Sequence, residues 1–433
     1  MDPVNVGILG ILLLVILFLI RMPVAFAMAF IGFLGFSYLC SFKAGLKLLA
    51  RDIFEQFSSF PLSAIPMFIL MGSFAFASGI GKRLYDAAYT VLGGLRGGLT
   101  MATVVACGFF AAICGSTAAT AATIGKIALP EMKRYKYDTT LATGCVASAG
   151  TLGILIPPST IFLVYGIMTE QSIGKLFVAG IIPGIILTFL FIMVVGLLCW
   201  RNPACAPAGG STKLKEKGKA VMGIVEALIL FAMVIGGLFF GWFTPTQAGG
   251  IGAAGALAIG LARRELNWRV FIESTRDGLR TSCMVLCVIA GATVFGHFMA
   301  VSTIPFILAD WVGGLPLPAM AIMGVIVLIY LIGGCFMDAM ALVVLTVPVI
   351  YPVVVRLGFD PIWFGVMIVL VSEMGVITPP VGVNVYVIKG IAPEVPLETI
   401  FKGIFPFLIA ILINTGILMA FPKIALILPA LAK

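Results

Sequence analysis

The sequence predicts an all-α polytopic membrane protein made of two inverted repeats, each with about five spanning helices, one of them broken, plus one re-entrant helical hairpin. Three observations carry that prediction. The 433 residues are 61% hydrophobic and only 10% charged, with a mean hydropathy of +1.18, a balance no water-soluble domain shows. Two proline pairs, in Gly153-Ile154-Leu155-Ile156-Pro157-Pro158 and Gly375-Val376-Ile377-Thr378-Pro379-Pro380, interrupt long apolar stretches. Proline removes a backbone donor and clashes with the preceding turn, so each pair frees carbonyls where lipid cannot hydrate them. The pairs lie 222 residues apart, and the same shift aligns Pro23 with Pro245, Pro130 with Pro352, Asp138 with Asp360 and Gly153 with Gly375. Coincidences in that order argue for a true duplication. Matched broken segments in two halves of an apolar chain point to the site of a secondary transporter.

The first repeat covers residues 1–200. Apolar runs mark spans near 4–20, 24–42 and 62–80, long enough to cross roughly 30 Å of hydrocarbon. The first run is a span rather than a signal peptide, because Asp2 stands where a basic region belongs and Arg21 follows the run. A hairpin is expected at about 97–133, a broken helix at about 138–168 and a closing span near 174–200. Residues 201–220 form a polar linker with Pro203, Pro207, Lys213, Lys215, Lys217 and Lys219. The second repeat, 221–433, reads the same way: spans near 221–241, 246–262 and 281–301, a hairpin at about 318–356, a broken helix at about 361–389, and a last span near 403–421. Segments 44–60 and 266–279 mix charged with apolar residues at helical spacing and suit helices lying along the membrane surface.

The hairpins are read from polar or small-residue interruptions at Gly115-Ser116-Thr117-Ala118-Ala119-Thr120 and Met337-Asp338-Ala339. Arms of about 15 apolar residues reach roughly 22 Å, too short to span, so the tips should end inside the membrane. The 222-residue shift pairs Ser116 with Asp338, tip to tip.

A net charge of +9, from 27 Lys and Arg against 18 acids, would suggest nucleic acid in a soluble chain. Here the basic residues sit between spans and set topology instead, so no nucleic-acid partner is expected. With the Lys-rich linker in the cytoplasm, Arg21, Lys82, Arg83, Lys133, Arg263, Arg269, Arg276, Arg280 and Lys389 lie there too. Lys43, Lys47, Arg51, Lys175, Arg356, Lys423 and Lys433 remain outside. Both termini then face outward, the first hairpin enters from the cytoplasm and the second from the opposite side. Nine scattered cysteines, including Cys283 and Cys287 on one helix face, read as small packing residues. Without a nucleotide loop, a paired-His motif or a nucleophile with its base, and with one histidine, an enzyme is not expected.

Helix ends inside a membrane supply oxygen ligands to cations and N–H groups to anions. Two pseudo-symmetric cation sites are expected. One joins Gly115 and Ser116 to the break at Gly150, Thr151, Gly153 and Pro157, with Ser148 nearby. The other joins Met337 and Asp338 to Ser372, Glu373, Gly375, Thr378 and Pro379. An intramembrane carboxylate lines a cavity, pairs with a cation or relays protons. For Asp338 the bland alternative is a helix cap; Glu373 reads equally as a bond to a neighbouring helix. Ser116, Thr117 and Thr120 also suit close helix packing. Lys126 reads as a snorkelling residue or an acid's partner, and His297 as a hydrogen-bonded packing residue. A carboxylate solute would sit near helix N-termini at Ser116, Thr117, Ser159 and Thr160, with Asp338 adjoining.

The tip Gly115-Ser116-Thr117-Ala118-Ala119-Thr120, the run from Gly150 to Thr160, Met337-Asp338-Ala339-Met340, and the run from Ser372 to Asn384 together resemble the large membrane subunit of tripartite ATP-independent periplasmic (TRAP) transporters. The resemblance covers essentially the whole chain. It implies an elevator-type transporter with scaffold and transport parts in the bacterial inner membrane, importing an organic acid coupled to Na+. It also implies two partners: a small four-helix membrane subunit, expected as a separate chain with no fused segment before Met1, and a periplasmic substrate-binding protein. The alternative kept beside it is a stand-alone ion-coupled carrier of dicarboxylates or other anions.

Overall fold

The computed structural model describes residues 2–20, 22–208 and 214–431, without the side chains of 214–222. Arg21, Lys433 and linker residues 209–213, with Lys213, lie outside the described residues, as do the side chains of Lys215, Lys217 and Lys219. Every regular element among the described residues is helical. The chain opens with α1 (Pro3–Leu19), α2 (Val24–Leu39), α3 (Phe42–Ser58), a 3₁₀ turn (Pro61–Ser63), α4 (Ala64–Ala77) and α5 (Ile80–Leu92). The first hairpin is α6 (Gly98–Cys114) and α7 (Thr117–Arg134). The broken helix follows as α8 (Thr139–Ala149), α9 (Leu152–Leu155) and α10 (Thr160–Met168), and then α11 (Ile173–Arg201). The second half repeats this with α12 (Leu214–Phe239), α13 (Pro245–Ala262), α14 (Trp268–Val301) and α15 (Ile304–Gly313). Its hairpin is α16 (Ala319–Phe336) and α17 (Ala339–Arg356), and its broken helix is α18 (Pro361–Ile377) and α19 (Val383–Ile391). The chain closes with α20 (Leu397–Ala420) and α21 (Lys423–Leu431).

The duplication is visible in the helix caps. Asp138 accepts from Leu141 N at 2.9 Å and starts α8. Asp360 accepts from Ile362 N at 2.8 Å and from Trp363 N at 3.1 Å, with Pro361 at the first position of α18. An acidic N-cap satisfies orphan N–H groups and suits the positive end of the helix dipole, which explains why these aspartates recur at the 222-residue shift. Six helical segments among the described residues are long and apolar enough to cross a membrane, or seven with the bent pair 42–58 and 61–77. The chain is a multi-pass membrane protein.

Helices α2, α4, α13 and α14 pack on one another, with α1 and α3 against α2 and α12 against α13. A second group joins both hairpins, both broken helices, α11 and α20: α8 packs on α20, α16 on α18, α10 on α17 and α19 on α7. Each return arm, α10 and α19, thus leans on the other repeat's hairpin. Where α18 crosses this group it is buried from Trp363 through Ile377, with no lipid-facing side.

Four boundaries differ from the sequence reading. Segment 266–279 is no separate surface helix, because α14 runs unbroken for 34 residues from its Asn267 cap; no proline interrupts it. Short helices α5 and α15 lead into the hairpins. Helix α5 buries Ile80, Leu84, Tyr85 and Ala88, while Lys82 and Asp86 are exposed. Helix α12 begins at Leu214, inside the expected linker. The hairpin arms have 17 or 18 residues, so arm length alone does not make them re-entrant. The position of their tips does.

Candidate functional site at the hairpin tips and helix breaks

The first tip closes on the first break. Gly115 has φ +65°, a left-handed turn that ends α6, and a Cβ there would lie 2.6 Å from the Pro158 carbonyl oxygen. A Cβ on Gly153 would lie 2.5 Å from the Ser116 oxygen and 2.9 Å from Thr120 Oγ1. Backbone meets backbone here, and only glycine permits it. Thr160 Oγ1 donates to the Gly115 oxygen at 3.4 Å. The break lies mid-way along the 30-residue segment 139–168, so the tip pressed against it sits deep in the membrane.

Each hydroxyl has a defined place. Ser116 caps α7, accepting from Ala119 N at 3.4 Å, and Ser159 caps α10, accepting from Phe162 N at 3.4 Å. Thr120 and Thr123 bond back to carbonyls four residues earlier. At Thr151 both the backbone N–H (3.0 Å) and Oγ1 (2.6 Å) donate to the Ser148 oxygen. Gly153 N bonds to the Gly150 oxygen rather than to that of residue 149. The break is thus a shift to three-residue hydrogen bonding that leaves carbonyls over. Ser148 Oγ is buried without a partner, and Pro157 and Pro158, joined by a cis peptide bond, are buried.

The second half is similar but looser. Asp338 caps α17, accepting from Met340 N at 3.0 Å, so its capping role is real, and its side chain is exposed to a cavity. Gly334 and Gly375 touch, a Cβ on Gly334 falling 3.0 Å from Gly375 Cα. Val381 N donates to the Cys335 oxygen at 3.2 Å. Thr378 Oγ1 donates to the Met374 oxygen at 2.5 Å. The break begins at Thr378, not at Ser372: α18 is continuous through Ser372 and Glu373, whose carbonyls the helix uses. Both residues are fully buried, and Ser372 Oγ and both Glu373 carboxylate oxygens have no partner. Pro379 and Pro380, also joined by a cis bond, are exposed.

The tips converge on one cavity of about 530 Å³, lined by Gly115, Ser116, Thr117 and Thr160 from the first repeat and by Asp338 from the second. Ser159, Met337, Gly150, Thr151, Gly153 and the proline pairs do not line it. Its opposite wall was not foreseen: Pro23 to Phe26 at the start of α2, and Thr281, Cys283 and Cys287 of α14. A signal existed, since Thr281 is a hydroxyl in the apolar stretch assigned to a span. An adjoining cavity of about 480 Å³ shares Ser116, Thr160 and Thr281 and continues past Ser73, Ser274, Asp277 and Glu273. His297 is a packing residue here, its Nδ1 2.7 Å from Oδ2 of buried Asp52 on α3, and Lys126 is exposed on α7.

Among the described residues no cluster of three or more His, Cys, Asp or Glu side chains exists to hold a metal. What the tips and breaks offer is hydroxyls and carbonyls, the donor set of a hard cation rather than of zinc or copper.

Known proteins agree with this architecture. The solved structure of the Alcanivorax borkumensis YdaH transporter shares the fold, with a TM-score of 0.61 at 16% identity over 87% of this chain and 88% of that one. The C4-dicarboxylate TRAP transporter large permease protein of Pseudomonas aeruginosa is 35% identical, covering 89% of this chain and 90% of the relative. The sialic acid TRAP transporter large permease protein of Vibrio cholerae is 31% identical over 95% of both. An isethionate TRAP permease, DctMQ, of Oleidesulfovibrio alaskensis is 37% identical, but this chain spans only 60% of its length. Residues 11–424 match the family described as the DctM component of tripartite ATP-independent periplasmic transporters, and the chain belongs to that family.

Proposed function

We propose that this chain imports an organic acid, coupled to Na+, as the large membrane component of a three-part system. The observation that carries this reading is the convergence of two hairpin tips, each seated on a proline-broken helix, on one mid-membrane cavity of about 530 Å³. That volume suits a small solute. The N-termini of α7, α10 and α17 begin beside it, at Ser116, Ser159 and Asp338, and favour an anionic group. The oxygen-rich tips and breaks suit a cation, with Gly115, Ser116, Gly150, Thr151, Gly153 and Pro157 in one half and Met337, Asp338, Ser372, Glu373, Gly375, Thr378 and Pro379 in the other; in the second half Ser372 and Glu373 would contribute through their unpartnered side-chain oxygens. The relatives named above act on C4-dicarboxylates, sialic acid and isethionate, all acids.

Two groups of helices in contact at the cavity support an elevator: α2, α4, α13 and α14 as scaffold, the hairpins and broken helices as the moving part. The second cavity runs along α14 toward Arg269, Arg276 and Arg280, and the positive-inside rule puts that end in the cytoplasm. In this arrangement the solute site faces inward and both termini face the periplasm, in the inner membrane of a bacterium. A periplasmic binding protein delivers the solute, and a small four-helix subunit completes the membrane part. The DctMQ relative, in which this chain aligns with only 60% of a longer protein, favours a second membrane component.

The test is reconstitution in proteoliposomes with the small subunit and the binding protein, using labelled succinate and sialic acid. Uptake should require an inward Na+ gradient and all three components. Uptake by this chain alone would make it a stand-alone carrier, and uptake indifferent to Na+ would overturn the coupling.

A further inference from the structure

We propose that the cation site at the first break is completed by the second repeat, through Asn384. This rests on the Na+ reading above. Asn384 lies on α19 and is fully buried. Its Nδ2 donates to the Ala147 oxygen at 3.0 Å, across 237 residues of chain. That carbonyl is one the break sets free, because Thr151 N turns to Ser148 instead. The same Nδ2 lies 3.2 Å from where a Gly150 Cβ would be, so the amide sits on the residues of the break itself. Its other end, Oδ1, is buried and has no partner.

An asparagine that merely closed an orphan carbonyl would leave Oδ1 buried without a partner, which is unfavourable. A desolvated alkali cation removes that cost. Gly150 and Gly153 are three residues apart and so share a helix face. Gly153 touches the Ser116 carbonyl and Thr120 Oγ1 while Gly150 touches Ala121. The Ser116 oxygen and Thr120 Oγ1 therefore meet the Gly153 end of one face of the break, and the Asn384 amide meets its Gly150 end. The second repeat has no such bridge. At the 222-residue shift the partner of Asn384 is Phe162 and that of Ala147 is Val369, which lies inside unbroken α18. The bridge is present in the half whose break reaches back to Gly150, ahead of its proline pair.

Asn414 provides an internal control. Its Nδ2 donates to the Pro183 oxygen at 3.3 Å, and its Oδ1 is likewise unpartnered, but it joins α20 to α11, where the neighbouring Gly184 packs on Ile156 and not on the Gly150 end of the break.

The experiment titrates Na+, and separately Li+, against the thermal unfolding midpoint of the purified full-length chain with its small subunit. Choline chloride holds ionic strength constant, and no solute is needed. Wild type should be stabilised by Na+. Asn384→Leu should raise the half-maximal Na+ concentration at least tenfold, while Asn414→Leu should lower the midpoint and leave that concentration within twofold. Asn384→Ser, which keeps an oxygen on a shorter side chain, should shift the Na+ to Li+ preference, and it serves if the Leu variant does not fold. Wild-type Na+ response in both Asn384 variants overturns the composite site while leaving Na+ coupling intact. A wild-type protein that Na+ does not stabilise, with uptake indifferent to Na+, overturns the coupling and the composite site together.

Discussion

Gly153→Ala tests the seat of the first hairpin on the first break. The new Cβ would lie 2.5 Å from the Ser116 oxygen, 2.7 Å from its carbonyl carbon and 2.9 Å from Thr120 Oγ1. Two of these atoms are backbone, so relief requires the tip to move rather than a side chain to turn. Overpacking of this kind costs about 1–3 kcal/mol. Residue 153 has a negative φ, so no backbone strain is added. If the cation binds only when tip and break are in contact, the same energy appears as about a 5- to 150-fold rise in the half-maximal Na+ concentration. The assay is Na+-dependent uptake in proteoliposomes beside the thermal midpoint of the detergent-purified protein. Gly250→Ala is the matched control: residue 250 is also helical and a Cβ there meets nothing within 4 Å, so alanine should stabilise by up to about 1 kcal/mol. A Gly153→Ala protein that gains stability as Gly250→Ala does, with unchanged Na+ dependence, would refute the contact.

Three further outcomes are expected. Asp338→Ala removes both cap and charge, costing about 1 kcal/mol in stability and abolishing Na+-driven uptake, whereas Asp338→Asn keeps the cap; full uptake by Asp338→Asn would confine Asp338 to capping. His297→Ala leaves the buried Asp52 carboxylate without its 2.7 Å partner, a loss of about 3 kcal/mol, and Asp52→Ala combined with it should recover part of the lost thermal stability; strict additivity would mean the two do not interact. Lys133 donates to Glu394 at 2.9 Å, and this bond first, with the lysine's charge, holds the Glu394 carboxyl below its usual value of 4.5. A depressed folded pKa gives stability that is present above the unfolded value and lost as pH falls through the folded one. The stability difference between wild type and Lys133→Met should therefore shrink on acidification below the ordinary glutamate range, read by thermal unfolding from pH 7 to pH 3, and a constant difference would count against the pair.

Why the sequence disclosed some of this site and not the rest follows from how far each cause reaches. A proline pair and a glycine at a tip act within a few residues, so the breaks and both hairpin tips were legible, and the aligned Asp138 and Asp360 turn out to be helix caps. Helices α5 and α15 were not, because helices this short take their stability from the surface they cover. The first break extends back to Gly150 although no proline stands there. Its cause is partly local: Ser148, Gly150 and Thr151 are poor helix formers, and Thr151 Oγ1 competes with the backbone for the Ser148 oxygen. At the matching positions of the second half, Leu370, Ser372 and Glu373 are fully buried, and packing carries that helix on to Ile377. Opening the first helix leaves the Ala147 carbonyl without a donor, and the donor comes from Asn384, 237 residues away. No local pattern announces such a partner. The repeat itself does, because where one half has Phe162 the other has a buried amide. A polar residue at one position of a duplicated apolar helix marks the place where the two halves ceased to do the same work.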